Sequence, residues 1–220
     1  MSKNTLVALV ALSVIFGCLT WLYFTQFGRM PQTLLKPDQA LGDVVAEETA
    51  KLLGKRGQVV VVRELADRKS LALDTQVDFF KKGLKKMPGI TLGGVELVKM
   101  GRLPMSPEKR MIDPFAEPSM GLLPSQLVNI VQSHPKADAF VIFGGFPPLT
   151  AEEFNGLKQG GSKWIVVSDY EPHYKGLMQA QIIGLAIVPR LGSSQKSGEE
   201  PKTSREWFDR EYIVVTPESQ

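Results

Sequence analysis

Few side chains in this 220-residue chain could do chemistry, and each competes with a structural role. Asp169, preceded by Ser168, follows the apolar run Trp164–Val167 directly. A carboxylate at a strand end can accept hydrogen bonds from ligand hydroxyls, or it can cap the turn through Pro172 to Lys175. His134 precedes Pro135 at a helix end and His173 sits in a short helical stretch, positions that suit surface or capping duty. The paired carboxylates Glu152 and Glu153 follow Thr150 in the pattern of a capping box, in which Glu153 reaches back to the backbone of Thr150. Three glycine pairs occur (Gly93-Gly94, Gly144-Gly145, Gly160-Gly161), and none opens a G-x-G-x-x-G. There is no G-x-S-x-G, no phosphate loop and no H-E-x-x-H. The only cysteine is Cys18, so the rest of the chain offers neither a disulfide nor a thiolate metal site. An enzyme reading has no named actors, and no metal or cofactor is expected.

The elements around these residues predict an α/β fold. From Lys136 to Gly192, short apolar runs (Ala139–Phe143, Trp164–Val167, Ile182–Val188) alternate with helical segments (Thr150 onward, His173–Ala180). Continuous apolar runs of that kind mark a parallel sheet covered on both faces. Earlier in the chain, Asp38–Gly54 and Asp74–Met87 carry apolar residues at helical spacing, and Gln58–Val62 is a strand rich in valine. Ile90–Met100 reads as a strand whose Gly93-Gly94 marks a bulge. Pro124–His134 is a further helix. Gly101–Leu123 breaks the rhythm: Pro104, Pro107, Pro114 and Pro118 predict a long irregular loop, which is either a surface excursion or a partner contact. A polar linker is expected over 193–205 and a final strand over Glu206–Thr216, within a C-terminal strand and tail of 206–220. The expected architecture is a three-layer sandwich around a mostly parallel sheet, spanning 38–192. Ligands in such sheets collect beyond the carboxyl ends of the strands.

The N-terminus predicts a different kind of segment. Leu6 to Phe24 holds no charged residue and has about the length of a helix that crosses a bilayer. Trp21, Tyr23 and Phe24 lie at its distal end, where aromatic rings favour the membrane–water interface. An uncleaved signal anchor over 1–28, with a tether over 29–37, accounts for the whole stretch. It places the remaining domain on the extracytoplasmic side of the inner membrane. A lipoprotein anchored at Cys18 and a cleaved secretory signal are the alternatives.

Bulk composition adds exclusions. At 43% hydrophobic and 22% charged residues, with a net charge of +3, the chain is ordinary for a globular domain. Its densest basic cluster, Lys81, Lys82, Lys85 and Lys86, lies on one predicted helix as a solvated face, and no nucleic-acid partner is expected.

The order of elements resembles the second lobe of periplasmic sugar-binding proteins and their repressor relatives. GKRGQVVVV is similar to that family's "lak-lggkGkV", DFFKKGLKKMPGI to its "GF-eal-kkyPgi" helix, and PSQLVNIVQSHPKADAFVIFG to "a-nilqahPdidaif". KWIVVSDYEPHYKGLMQAQIIGLAIVPRLG is similar to "i-vvGfD…l-ai--G-i-atv-Q-P". The resemblance covers roughly Asp38 to Gly192 and implies a binding lobe rather than an enzyme. It also implies that Asp169 holds the family's ligand-contacting acid position. The departures concern the site. Gly144-Gly145-Phe146 stands where an Asn-Asp pair is common, and Leu73-Asp74-Thr75 where an Arg often opens the helix, with Arg68 a few residues upstream. Val188 replaces the Gln before the final Pro. The short tether leaves no room for a first lobe between the apolar segment and residue 38.

Two functions follow as expectations. One is a degenerate lobe kept as an interaction module, meeting an envelope protein or a second copy of itself through Phe146, Pro147, Arg102 and Arg110. The other is a site for a sugar or small polar solute, built from Asp169, Ser168, Gly144, Gly145, Arg63 and Glu64 and completed by dimerisation or a partner lobe.

Overall fold

The computed structural model describes residues 3–22, 35–65, 70–103, 120–168, 173–190 and 200–219. It divides into two compact units, Met1–Lys36 and Pro37–Gln220. The first holds helix α1 (Lys3–Leu22), whose side chains are described over 12–21. Leu12, Val14, Ile15, Phe16, Leu19 and Trp21 are all 57–73% exposed there, and Cys18 is exposed as well. Among the described residues no helix is long and apolar enough to cross a membrane. Most of the expected tether lies outside the described residues.

The second unit is built on a six-stranded sheet. Its strands are β1 (Gly57–Glu64), β2 (Ile90–Val98), β5 (Ala139–Phe143), β6 (Lys163–Val167), β7 (Ile183–Pro189) and β8 (Tyr212–Val215). The spatial order is β2-β1-β5-β6-β7-β8, parallel throughout except for the antiparallel pairing of β8 on β7. Helices α2 (Lys36–Leu52), α3 (Leu71–Lys85) and α7 (Ser204–Glu211) cover one face, while α4 (Pro124–Ser133), α5 (Ala151–Gln159) and α6 (Tyr174–Gln179) cover the other. The strand residues alternate between the two cores. Val59, Val61, Val141 and Ile165 pack with Val45 and Phe80, whereas Val60, Val62, Ile142 and Trp164 pack with Leu127, Leu157 and Met178. Burial on both faces is why these strands read as unbroken apolar runs. The expected α/β class with a mostly parallel sheet is what the structure shows.

Local sequence explains the element boundaries. The pairing of β1 with β2 shifts register between Val59 and Val60, where Gly93 is the extra residue of a bulge. A side chain at Gly93 would press to 2.8 Å on Gln58 Cγ, so the Gln58 side chain would have to move to admit one. Thr150 caps α5 as its capping box predicts: its hydroxyl accepts from the Glu153 amide, and the Glu153 carboxylate accepts from the Thr150 amide at 2.8 Å.

Three expectations need correction. Helix α3 begins at Leu71, capped by the Ser70 hydroxyl, and not at Asp74. The 101–123 loop is not irregular throughout, because β3 (Gly101–Arg102) and β4 (Met120–Gly121) pair antiparallel at its ends. Finally, Glu206–Thr216 is not one strand: Ser204–Glu211 is the helix α7, and only Tyr212–Val215 is strand. The Thr203 hydroxyl accepts from the Glu206 amide, and Arg205 pairs with Asp209 four residues on. Those local bonds favour helix over the strand propensity of Trp207 and Phe208.

Candidate functional site

Parallel sheets bind ligands where the strand order reverses direction, beyond the carboxyl ends of the strands. Here the first crossover runs outward from β1 to β2, and the chain then returns to place β5 on the other side of β1, so the reversal falls between β1 and β5. Arg63, Phe143, Val167 and Ile187 stand level across β1, β5, β6 and β7. The next residues, Glu64, Gly144 and Ser168, therefore form one rim. The register brings together five of the six residues expected to bind ligand: Arg63, Glu64, Gly144, Gly145 and Ser168. Asp169 lies outside the described residues, as do Arg68 and Arg110.

Two backbone bonds hold the rim: the Gly144 amide donates to the Val167 carbonyl, and the Ser168 amide to the Ile187 carbonyl, both at 3.1 Å. Gly144 has φ 152°, a conformation that a side chain would strain. Its turn sends the following aromatic inward. Phe146 is only 2% exposed and meets the Trp164 ring edge-on at 5.3 Å. Pro147 is buried too. The expectation that Phe146 and Pro147 act as contact residues is thus corrected, because the rim spends them on core packing. Arg102 is exposed on β3.

Several polar groups of the rim bond within the chain. Arg63 Nη1 pairs with Asp74 Oδ1 of α3 at 2.7 Å, and its Nε is buried with no partner among the described residues. The fully buried Tyr174 hydroxyl accepts from the Phe146 amide at 3.0 Å and bonds Ser168 Oγ at the same distance. His173 Nε2 donates to the Phe146 carbonyl at 2.9 Å. Tyr174 and His173 thus tie the β5 and β6 ends together, a role that their sequence positions did not announce. Around this rim stand two exposed apolar side chains, Leu65 at 42% and Met120 at 62%.

His134, the other histidine, sits away from the rim. Its Nε2 lies 2.7 Å from Glu96 of β2, and its ring covers Gly94. Among the described residues no group of three His, Cys, Asp or Glu side chains could hold a metal ion. A groove of about 250 Å³ lies at the opposite, amino end of the sheet, lined by Lys51, Lys163, Gln181, Ile183 and Glu218 among others. Its charges balance, and it faces away from the ends where parallel sheets bind ligands.

Comparison with known proteins places the fold. No family profile matches the chain, and no curated protein matches it. Solved structures do. An ABC transporter periplasmic solute-binding protein from Actinobacillus succinogenes 130z, solved with bound D-allose, superposes with a TM-score of 0.50 at 11% identity, covering 82% of this chain and 60% of that one. A solute-binding protein from Burkholderia graminis C4D1M in complex with D-arabinose gives 0.49 at 16% identity, over 82% and 60%. One from Agrobacterium vitis with α-D-tagatopyranose gives 0.48 at 20% identity, over 69% and 45%. The chain spans between about half and two thirds of the length of these proteins. It has the fold found in periplasmic sugar-binding proteins of ABC transporters, matched over an extent that fits one lobe.

Proposed function

We propose that this chain is a non-catalytic, membrane-anchored binding lobe whose rim at the carboxyl ends of β1, β5 and β6 engages another envelope protein. The observation that carries this reading is the state of the rim's polar groups. Arg63, Ser168, Tyr174 and His173 are already bonded to Asp74, to one another and to the Phe146 backbone. A sugar hydroxyl array needs convergent groups that are free to pair, since each buried polar group left unpaired costs about 1–3 kcal/mol. The exposed Leu65 and Met120 suit a protein surface better. The run of exposed apolar side chains on α1 supports an uncleaved anchor in the inner membrane, with the lobe on the extracytoplasmic side.

A photo-crosslinking residue at Leu65 or Gly145, in cells expressing the full chain, tests this reading. A discrete adduct of higher mass is expected from both positions and none from Gln181 at the other end of the sheet. Absence of an adduct at the rim would refute it. Resistance of the chain to alkaline extraction from membranes tests the anchor.

A second reading keeps the rim as a sugar or small-solute site, completed by a second copy or a partner lobe. It is favoured by the exposed Gly145 backbone at the reversal point and by the fold shared with the D-allose-bound protein.

A further inference from the structure

The outer edge of β2 carries a second surface, distinct from the rim. β2 is an end strand of nine residues, bonded only to β1, and no described residue pairs with its other side. An open strand of that length without proline is a template for another strand. Among the described residues, Leu92 and Leu97 are large apolar side chains exposed on β2 itself, at 41% and 53%.

The charges of the neighbouring helix indicate what occupies this edge. Helix α3 packs over β1 and β2 through Val77, Phe80 and Leu84. Its Gln76, Phe79, Phe80 and Gly83 flank lies against Gly42 and Ala46 of α2. The opposite flank carries Asp74, Asp78, Lys81 and Lys85, spaced by four, three and four residues so that they form one stripe, in which Asp74 also meets Arg63 at 2.7 Å and Asp78 meets Lys81 at 3.9 Å. The stripe reads acid, acid, base, base. Run antiparallel against itself, it sets Asp74 opposite Lys85 and Asp78 opposite Lys81.

The strand has the same self-complementarity. Antiparallel pairing of β2 with a second β2, centred on Val95 and with the Gly93-Gly94 bulge opposite Glu96, sets Leu92 opposite Leu97 on the same face as α2 and α3. A two-fold axis perpendicular to the sheet generates both pairings at once. Neighbouring strands about 4.8 Å apart would bring the two α3 helices to roughly 10 Å, an ordinary helix-packing distance. An isologous interface requires such self-complementary patterning.

We infer that β2 and α3 form the interface of a two-fold dimer, in which two copies of this chain join their sheets edge to edge. The inference stands apart from the rim reading, although Asp74 belongs to both surfaces through its pair with Arg63.

Sedimentation of the full chain in dodecyl maltoside tests it. A dimer is expected at micromolar concentration. Lys81→Glu with Lys85→Glu makes the stripe uniformly acidic, and Asp78→Lys makes it predominantly basic. Each variant should weaken self-association at least tenfold with unchanged circular dichroism, and mixing the two should restore a heterodimer. Leu92→Lys with Leu97→Lys should also give monomer. A wild-type monomer, a dimer indifferent to Lys81→Glu with Lys85→Glu, or failure of the mixed variants to associate would each overturn the inference.

Discussion

The hydroxyl of Tyr174 accepts a hydrogen bond from the backbone amide of Phe146 at 3.0 Å, although 28 residues separate them in the chain. The same hydroxyl bonds Ser168 Oγ, so one buried atom ties the end of β6 to the glycine turn that follows β5. The shape of the rim depends on that atom.

Replacing Tyr174 by Phe leaves the buried Phe146 amide without an acceptor at little change of volume. We expect a loss of about 1–3 kcal/mol in urea unfolding. Ser168→Ala keeps the Phe146–Tyr174 bond and should cost less.

At Gly42, α2 packs against the backbone of α3. A Cβ there would collide with the Gln76 carbonyl oxygen and lie 2.8 Å from the Phe80 amide nitrogen, both backbone atoms that cannot swing aside. Gly42→Ala should destabilise the lobe by about 3 kcal/mol, the upper part of the range for overpacking. Gly156→Ala is the control, since nothing lies within 4 Å of a Cβ there and alanine favours helix.

Thr150→Ala removes the cap of α5 and should cost about 1 kcal/mol. Glu153→Ala should cost part of the same amount, and Glu152→Ala almost nothing. Chemical denaturation of the three variants would show whether these carboxylates are structural.

Two groups predict the response to pH. Burial alone would raise the Glu48 carboxyl, but the bonds from Lys51 and Arg205 outweigh it and hold it below the ordinary carboxylate range. Its folded value lies below its unfolded one, so its contribution is full above the ordinary carboxylate value and is lost as pH falls through the folded value. Glu48→Gln should therefore lower stability at neutral pH and lose that deficit in acid. Burial, aided by Asp38 and Glu211, pushes the Tyr212 phenol up to about 12 from 10.0. That contribution is complete below pH 10 and disappears as pH rises toward 12. Tyr212→Phe should remove this alkaline loss from a stability profile.

The sheet was legible because β1, β5, β6 and β7 are buried on both faces, and their valines and isoleucines leave no other reading. The Gly93 bulge and the Thr150 cap were legible because each is a local pattern. Helix α7 was misread, although Thr203 and Glu206 carry the same Thr-x-x-Glu signal as Thr150 and Glu153; the aromatic residues Trp207, Phe208 and Tyr212 masked it. At the rim, the position of Arg63 beside Gly144 follows from strand order, but its pairing with Asp74 is a tertiary fact. The burial of Phe146 was also invisible, since it depends on the backbone turn at Gly144 and on the Trp164 ring waiting beneath.

The most direct test of the central claim is thermal unfolding of the full chain against a panel of sugars that includes D-allose and D-arabinose. A rim whose Arg63 Nη1, Ser168, Tyr174 and His173 already bond within the chain predicts no saturable stabilisation by any of them. A sugar that raised stability toward the roughly 2.7 kcal/mol expected at a hundredfold excess over its Kd, with the gain lost in Arg63→Ala, would contradict the account and restore the rim as a sugar site.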